Sequence, residues 1–329
     1  MPAAYVDALI ASNHGDRGQA TARAAAASRE APWLFEAHLV PAHLEFNRAV
    51  TEYLAGRINE GFEGAGRADG YYADAQRVAA SAVEAYVGRC AVAGLVLNMT
   101  EHGLVTDPAP YHERAEASCA AAVAIDADHA EAHRLFGEAV RFWANNKVLA
   151  REDPGDGYER SAALTRRAFE LSGGRDIEAR VALADTFLDR AWWEDRSGKD
   201  PRPAIADAVS TYEQALAVDP RNLGGVQNLG QAYLLRSRFE RTAGLDPIES
   251  QDRAFESFQR ALRADPNLAG GYRTLARITV ERADERARRG LESSAGLEQA
   301  IRFIEQLPGD RALPDRAAAL DKLRARLLH

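Results

Sequence analysis

The chain has 329 residues, 46% of them hydrophobic and 27% charged, and its formal net charge is -8. This acidic balance argues against nonspecific binding to nucleic acid or to an anionic membrane, because both need a strongly basic surface. No segment reaches the roughly 18 consecutive apolar residues of a membrane-spanning helix, and residues 91–99 come closest.

Two cysteines, Cys90 and Cys119, are present. They are too few for a disulfide framework, and they lack the paired spacing of a zinc site. We therefore expect buried, structural thiols and, with no signal-peptide pattern at the N-terminus, a cytoplasmic location.

The first 100 residues are the least regular part of the chain. Alanines at helical spacing predict a short helix over residues 20–27, after the turn at Gly15. A long helix is predicted over residues 33–62, with a kink at Pro41 because proline removes a backbone donor.

A glycine-rich stretch follows and is predicted to break the helix. Its glycines are Gly61, Gly64, Gly66 and Gly70. Residues 64–70 superficially suggest a phosphate-binding loop, but they lack the Gly-Lys-Ser/Thr sequence and do not follow a strand. We interpret them as a turn between helices, with residues 71–100 helical around an internal loop.

Between residues 183 and 290 the sequence repeats itself with a period of 46 residues, and weaker copies extend the predicted array over residues 101–310. Asp219-Pro220 recurs 46 residues later as Asp265-Pro266. Gly198 recurs at the same spacing as Gly244 and as Gly290. Such self-similarity predicts one helical unit copied several times, each copy packing on its neighbours.

Each unit reads as a pair of helices, which we name helix A and helix B in chain order. In one unit the apolar positions of residues 226–234 follow the spacing of an amphipathic helix and predict helix A. After a break at Gly244, the apolar positions of residues 254–262 predict helix B, which ends at Asp265-Pro266.

These positions resemble a known consensus, that of the tetratricopeptide repeat. The resemblance is carried by Leu229-Gly230-x-x-Tyr233, by Ala254-x-x-x-Phe258-x-x-Ala261 and by Pro266. The unit differs from the 34-residue repeat of that family by about 12 additional residues between the two motifs. The arrangement also resembles the extended tetratricopeptide region of bacterial serine/threonine protein kinases, although the kinase signature motifs are missing from this sequence.

The resemblance implies an all-α fold, a right-handed superhelical solenoid of extended helical hairpins of about 46 residues. We predict irregular hairpins over residues 1–100, extended repeats over 101–310 and a C-terminal capping helix over 311–329, in one continuous array.

No cluster of reactive residues stands out. His129 and His133 share one helix face, but no third metal ligand is placed near them, and we interpret them as solvated. Most carboxylates lie at helical spacing from arginines, as Asp284 does from Arg288 and Glu285 from Arg289. We therefore predict no catalytic residues, no cofactor and no metal.

The resemblance places helix A of each unit on a concave, partner-binding face. Residues beside its packing stripe are then candidates to contact a partner. They are Gln227, Asn228 and Gln231 in one unit, Arg273, Thr274 and Arg277 in the next, and Trp192 of the adjacent Trp192-Trp193 pair. Asn228 and the two arginines match the carboxylate clamp of peptide-binding relatives only loosely, because their order along the repeats is reversed.

Two functions are compatible with this pattern. The first is a non-enzymatic protein-interaction scaffold or sensor that holds a protein or peptide segment in its concave groove, in bacterial signalling. The alternative is a sensor of a small ligand or peptide pheromone that switches a partner by rearranging the superhelix. Trp192 has two interpretations as well, core packing and ligand contact.

Overall fold

The structure, a computed structural model, describes residues 1–101, 107–308 and 316–327. Every regular element within these ranges is a helix. The helices are α1 (Ala3–Asn13), α2 (Arg17–Glu30), α3 (Glu36–Leu54), α4 (Ile58–Val78), α5 (Val83–Thr100), α6 (Ala109–Ile125), α7 (Ala130–Leu149), α8 (Gly157–Leu171), α9 (Ile177–Arg196), α10 (Arg202–Val218), α11 (Leu223–Thr242), α12 (Ile248–Ala264), α13 (Ala269–Arg288), α14 (Ser294–Glu305) and α15 (Arg316–Leu327). The all-helical prediction is confirmed for the described residues.

The chain divides into two compact units, Met1–Thr186 and Phe187–His329. In the N-terminal unit the helices pack pairwise in chain order, α1 with α2, α3 with α4, α5 with α6 and α7 with α8. In the C-terminal unit α11 packs with α12 and α13 with α14. Short connections between packed helices make antiparallel hairpins. The division into residues 1–100, 101–310 and 311–329 stays a prediction.

The repeated Asp-Pro dipeptides form repeated turns. The Asp219 side chain accepts a hydrogen bond from the backbone N–H two residues later, at 3.0 Å, and Asp265 does the same at 2.9 Å. Asp200 and Asp246 each repeat this contact at 3.1 Å after the other helix of the pair. Such Asx turns need a short side-chain acceptor, and the following proline cannot continue the preceding helix.

The glycines at the same 46-residue spacing end the A helices. Gly198, Gly244 and Gly290 have φ values of 71°, 72° and 69°. This left-handed conformation carries no steric penalty in glycine, and it closes the last helical turn. The residue after each glycine donates its N–H to a helix carbonyl five residues back, for example Leu245 to Glu240 at 2.7 Å.

The long helix predicted over residues 33–62 is wrong. Two helices, α3 and α4, occupy this region, and the chain reverses between them at Gly56, whose φ is 76°. Pro41 does lie inside α3, as predicted. Trp33 precedes α3 and is 76% exposed.

The glycine-rich break is wrong too, because all four of its glycines lie inside α4. Two of them allow α3 and α4 to pack closely. A Cβ atom at Gly64 would lie 3.2 Å from the Cβ of Ala49, and one at Gly61 would lie 3.0 Å from the Ala49 carbonyl oxygen. These two glycines therefore allow two helices to cross closely, and they do not form a turn.

The C-terminal end of the chain carries α15, within the segment predicted as a capping helix. Leu320 and Leu323 pack against a buried cluster that includes Ala300 and Ile304 of α14. The rest of the predicted capping segment, residues 311–315 and 328–329, lies outside the described residues.

Ion pairs on α13 differ partly from the prediction. Glu285 pairs with Arg289 at 2.9 Å, as expected from their spacing. Asp284 pairs with Arg326 of α15, while Arg288 pairs with Glu285 at 2.6 Å. Partly exposed pairs of this kind each contribute about 0–1 kcal/mol, so they orient these side chains more than they stabilise the fold.

Candidate functional site

An open groove lies along the A helices α3, α5 and α7 of the N-terminal unit. Its volume is about 290 Å³. The apolar part of its lining consists of Phe46, Val50, Ala91, Gly94, Leu95, Leu135 and Phe142. Small residues on α5 leave this space open: a Cβ atom at Gly94 would meet only Ala139, at 3.8 Å.

Charged side chains form one edge of this A-helix groove. Arg134 is 19% exposed and lies between Glu138, at 2.7 Å, and Glu131, at 3.5 Å. Burial lowers the pKa of Arg134, but the carboxylates of Glu138, Glu131 and Asp176 raise it, so the net shift is upward. The guanidinium is therefore a fixed positive charge at the groove.

Two amide side chains connect α5 to its neighbours near the end of the groove. The Tyr53 hydroxyl lies 3.3 Å from Oδ1 of Asn98, which lines the groove. The buried Asn146 of α7 accepts from the Thr100 hydroxyl at 2.7 Å and donates to the Leu97 carbonyl at 3.1 Å. These bonds fix α5 against α3 and α7, so the groove walls are held in place.

A disulfide joins Cys90 of α5 to Cys119 of α6. Both residues are fully buried, and Cys90 also lines the A-helix groove. The prediction of two free thiols is therefore wrong. The two sulfur atoms meet because α5 and α6 form one hairpin, in which residues 29 apart in sequence lie opposite each other.

The predicted partner-binding residues lie in the C-terminal unit, on α11 and α13. Gln227, Asn228 and Gln231 are half-buried on α11. On α13, Arg273 and Arg277 are exposed and Thr274 is half-buried. None of the six lines the cavities of about 470 Å³ and 540 Å³ that this unit contains. Their role in binding stays a prediction.

Trp192 and Trp193 are both half-buried near the end of α9. The Arg238 guanidinium lies 5.0 Å from the centre of the Trp192 ring, and Lys199 lies 3.9 Å from that of Trp193. Arg238 also pairs with Asp195. Cations therefore cover both rings, and a partner that contacts Trp192 would compete with Arg238.

The consensus positions of the repeat contact each other across the hairpin. A Cβ atom at Gly230 would lie 2.7 Å from the Phe258 ring, and one at Gly137 would lie 2.6 Å from a methyl carbon of Thr165. In both hairpins the A-helix glycine thus faces the B-helix residue 28 positions later. These glycines occupy the A-helix position that carries the resemblance to the tetratricopeptide consensus, and they allow the two helices of a hairpin to cross closely.

No family model matches the chain, and no curated protein matches it. Solved structures do. The nuclear import adaptor Nro1 of S. pombe aligns with a TM-score of 0.58 at 10% identity, over 88% of this chain and 99% of Nro1. PilW, a type IV pilus biogenesis factor, aligns with a TM-score of 0.51 at 14% identity, over 86% and 97%. A tetratricopeptide repeat protein from Parabacteroides merdae aligns over 99% and 98%, with a TM-score of 0.49 at 13% identity.

The chain has the tetratricopeptide fold. The A helices of its tetratricopeptide-like hairpins include α3, α5 and α7 in the N-terminal unit and α11 and α13 in the C-terminal unit. The A-helix groove of the N-terminal unit and the predicted residues of the C-terminal unit therefore lie on equivalent helices.

The C-terminal unit has two further cavities between its tetratricopeptide-like helices. One, of about 470 Å³, is lined by α10 and the end of α11, with Phe239 and Leu245 among its apolar residues. The other, of about 540 Å³, is lined by residues of α10, α11 and α12. It is lined by Glu213, Leu216, Ala217, Leu229, Tyr233, Arg253, Glu256, Ser257, Arg260 and Arg263. Neither cavity is predicted from the sequence.

The histidines predicted as solvated differ from each other. The His129 side chain caps α7 by accepting from the backbone N–H of Ala132 at 3.2 Å. His133 is buried, with Nε2 2.9 Å from the Ala127 carbonyl oxygen, so its prediction is wrong. Across residues 1–101, 107–308 and 316–327, no group of three or more His, Cys, Asp or Glu side chains could hold a metal ion, and no helix is long and apolar enough to span a membrane.

Proposed function

We propose that this protein is a non-enzymatic scaffold that binds a protein or peptide segment along its A helices. The observation that carries the proposal is the A-helix groove of the N-terminal unit, which is open, largely apolar and edged by Arg134. A groove of this kind binds an extended chain by burying alternate apolar side chains, at about 25 cal/mol per Å² of apolar surface. Fixed polar groups at its edge set the direction of the segment.

Two polar groups of the groove suit a polypeptide. The Asn98 side chain uses its oxygen for the Tyr53 hydroxyl, which leaves its amide N–H groups to donate to a backbone carbonyl. Arg134 supplies a guanidinium that is shared with two glutamates and can also meet a carbonyl or an acidic side chain. The neighbouring Phe46 and Phe142 supply apolar contact area.

In the C-terminal unit we propose the same role for the residues predicted on α11 and α13, with Trp192 of α9. Arg273 and Arg277 lie four residues apart and share one exposed face of α13. The alignment with Nro1, which is named a nuclear import adaptor, supports a role in binding another protein.

A role in bacterial signalling stays a prediction, supported by the resemblance of the repeats to the kinase-associated region. The cytoplasmic location also stays a prediction. The Cys90–Cys119 disulfide argues against it, because disulfides are rare in the reducing cytosol and persist in oxidising compartments.

Affinity purification with mutated bait tests the proposal. The bait carries either Arg273→Ala/Arg277→Ala on α13 or Ala91→Glu in the A-helix groove, and bound proteins are quantified by mass spectrometry. Since Arg273 and Arg277 are exposed and Ala91 is half-buried at the groove, we expect each variant to lose specific partners while its circular dichroism and melting temperature remain those of the wild type.

The matched control is Arg17→Ala/Arg29→Ala, which removes two exposed arginines from α2. It should retain every partner. If both site variants retain the full set of wild-type partners, the A helices are not the binding surface and the proposal fails.

A further inference from the structure

The cavity between α10 and α12 carries an arginine cluster that the proposed function does not use. We infer that Arg253, Arg260 and Arg263 form a second binding site, which takes a short acidic segment of a partner polypeptide. This site shares no residue with the A-helix groove or with the surface on α11 and α13, so it stands or falls independently of the proposed function.

The three arginines follow one face of α12, at spacings of seven and three residues. They line a cavity of about 540 Å³ whose floor is formed by Leu229 and Tyr233 of α11. From Arg253 to Arg263 the helix rises about 15 Å. An extended chain covers this distance in about four or five residues, which sets the length of the segment.

The arginines are available to a ligand. Among the described residues, neither Arg253 nor Arg263 forms an ion pair, and both are exposed. Glu256 lies three residues from Arg253 and four from Arg260 on the same helix, a spacing that often gives an ion pair. In the described part of the chain it pairs with neither, so the guanidinium groups are directed elsewhere.

The other charged groups of the cavity already form hydrogen bonds or lie at its edge. Arg260 donates to the Pro220 carbonyl in the turn before α11, which fixes the position of its guanidinium. Glu213 accepts from the Tyr233 hydroxyl at 2.8 Å and also lines the neighbouring cavity, so it lies at the boundary between the two. Three guanidinium groups against two carboxylates leave an excess of positive charge.

The cluster is not required by the fold. At the repeat register 46 residues earlier, the positions of these arginines are Asp207, Gln214 and Ala217. One unit later, the first two positions are Gln299 and Gln306. Since neighbouring units fold with acidic, neutral or small residues here, packing does not explain the arginines. Planar guanidinium groups in a groove match carboxylates, which they can bind through two parallel hydrogen bonds.

The test is fluorescence anisotropy with a fluorescein-labelled pentaglutamate peptide and the full chain. The wild type should bind this probe, more weakly as the salt concentration rises. Arg253→Ala/Arg263→Ala should weaken binding about tenfold or more, because two charge-assisted contacts are lost. Arg253→Glu/Arg263→Glu should abolish it and should instead bind labelled pentalysine, while an unchanged circular dichroism spectrum shows that the reversed variant is folded.

A control variant separates this site from a general charge effect. Arg17→Ala/Arg29→Ala also removes two exposed arginines, and it should bind pentaglutamate as the wild type does. Equal weakening in both double-alanine variants would mean a nonspecific charge effect and would overturn the inference. So would a wild type that fails to bind pentaglutamate, or one that binds labelled oligothymidylate more tightly through the same arginines.

Discussion

Replacing both Cys90 and Cys119 by alanine is expected to lower the free energy of unfolding by about 3–4 kcal/mol. The disulfide closes a loop between residues 29 apart, and a cross-link of that length removes chain entropy from the unfolded state worth about this much. Both sulfur atoms are fully buried, so their loss also removes packing between α5 and α6. Urea denaturation monitored by circular dichroism measures the difference.

Reduction provides the matched control. Wild-type protein in a strong reductant should approach the stability of the double-alanine variant, whereas the variant itself should not respond to reductant. A wild type whose two cysteines are both alkylated when it is denatured without reductant would contradict the disulfide.

Gly88→Ala is expected to destabilise the protein by about 2–3 kcal/mol, the cost of overpacking a filled core. The added Cβ atom would lie 2.1 Å from a ring carbon of Tyr72. That ring is 2% exposed and packs within the core of α3, α4 and α5, so it has no space into which to move. Thermal or urea unfolding measures the effect.

Gly66→Ala is the paired control for this substitution. Gly66 also lies inside a helix, α4, but a Cβ atom there would meet nothing within 4 Å. This variant should stabilise the protein by about 0.5–1 kcal/mol, since alanine favours helix more than glycine does. Similar effects of the two substitutions would show that the α4–α5 crossing is looser than described.

The elements that the sequence predicts well are those whose signals are local. The Asp-Pro turns and Gly244 encode their own conformations, because a side-chain acceptor two residues before an N–H and a residue free to adopt positive φ need no distant partner. The bounds of α11 and α12 follow from these turns and from the apolar spacing between them.

The local sequence does not reveal the role of a glycine where that role depends on tertiary packing. Gly61 and Gly64 carry the same local signal as a turn, yet they serve the crossing of α4 with Ala49 of α3. Only the partner helix distinguishes the two roles, and a single sequence does not show which helix that is. The chain direction reverses at Gly56, a single glycine in the same region.

The disulfide could have been predicted from the register of the hairpin. Gly230 faces Phe258 and Gly137 faces Thr165, both 28 positions later, and Cys90 and Cys119 are separated by 29. The candidate binding surfaces were harder to place. The A helices could be assigned from the repeat, but an open groove at Gly94 depends on which side chains are small on three helices at once. The arginines of α12 stand out in the sequence only because the equivalent positions of the neighbouring repeats, 46 residues away, hold other residues.

The recurring glycine geometry at Gly198, Gly244 and Gly290 has an evolutionary consequence. A gene rearrangement that begins at one of these glycines and ends at another joins two chain ends with matching backbone conformation. Whole modules can then be gained or lost without a new linker. The array can change its length in steps of one hairpin, and each added copy brings a fresh surface on which recognition residues can diverge.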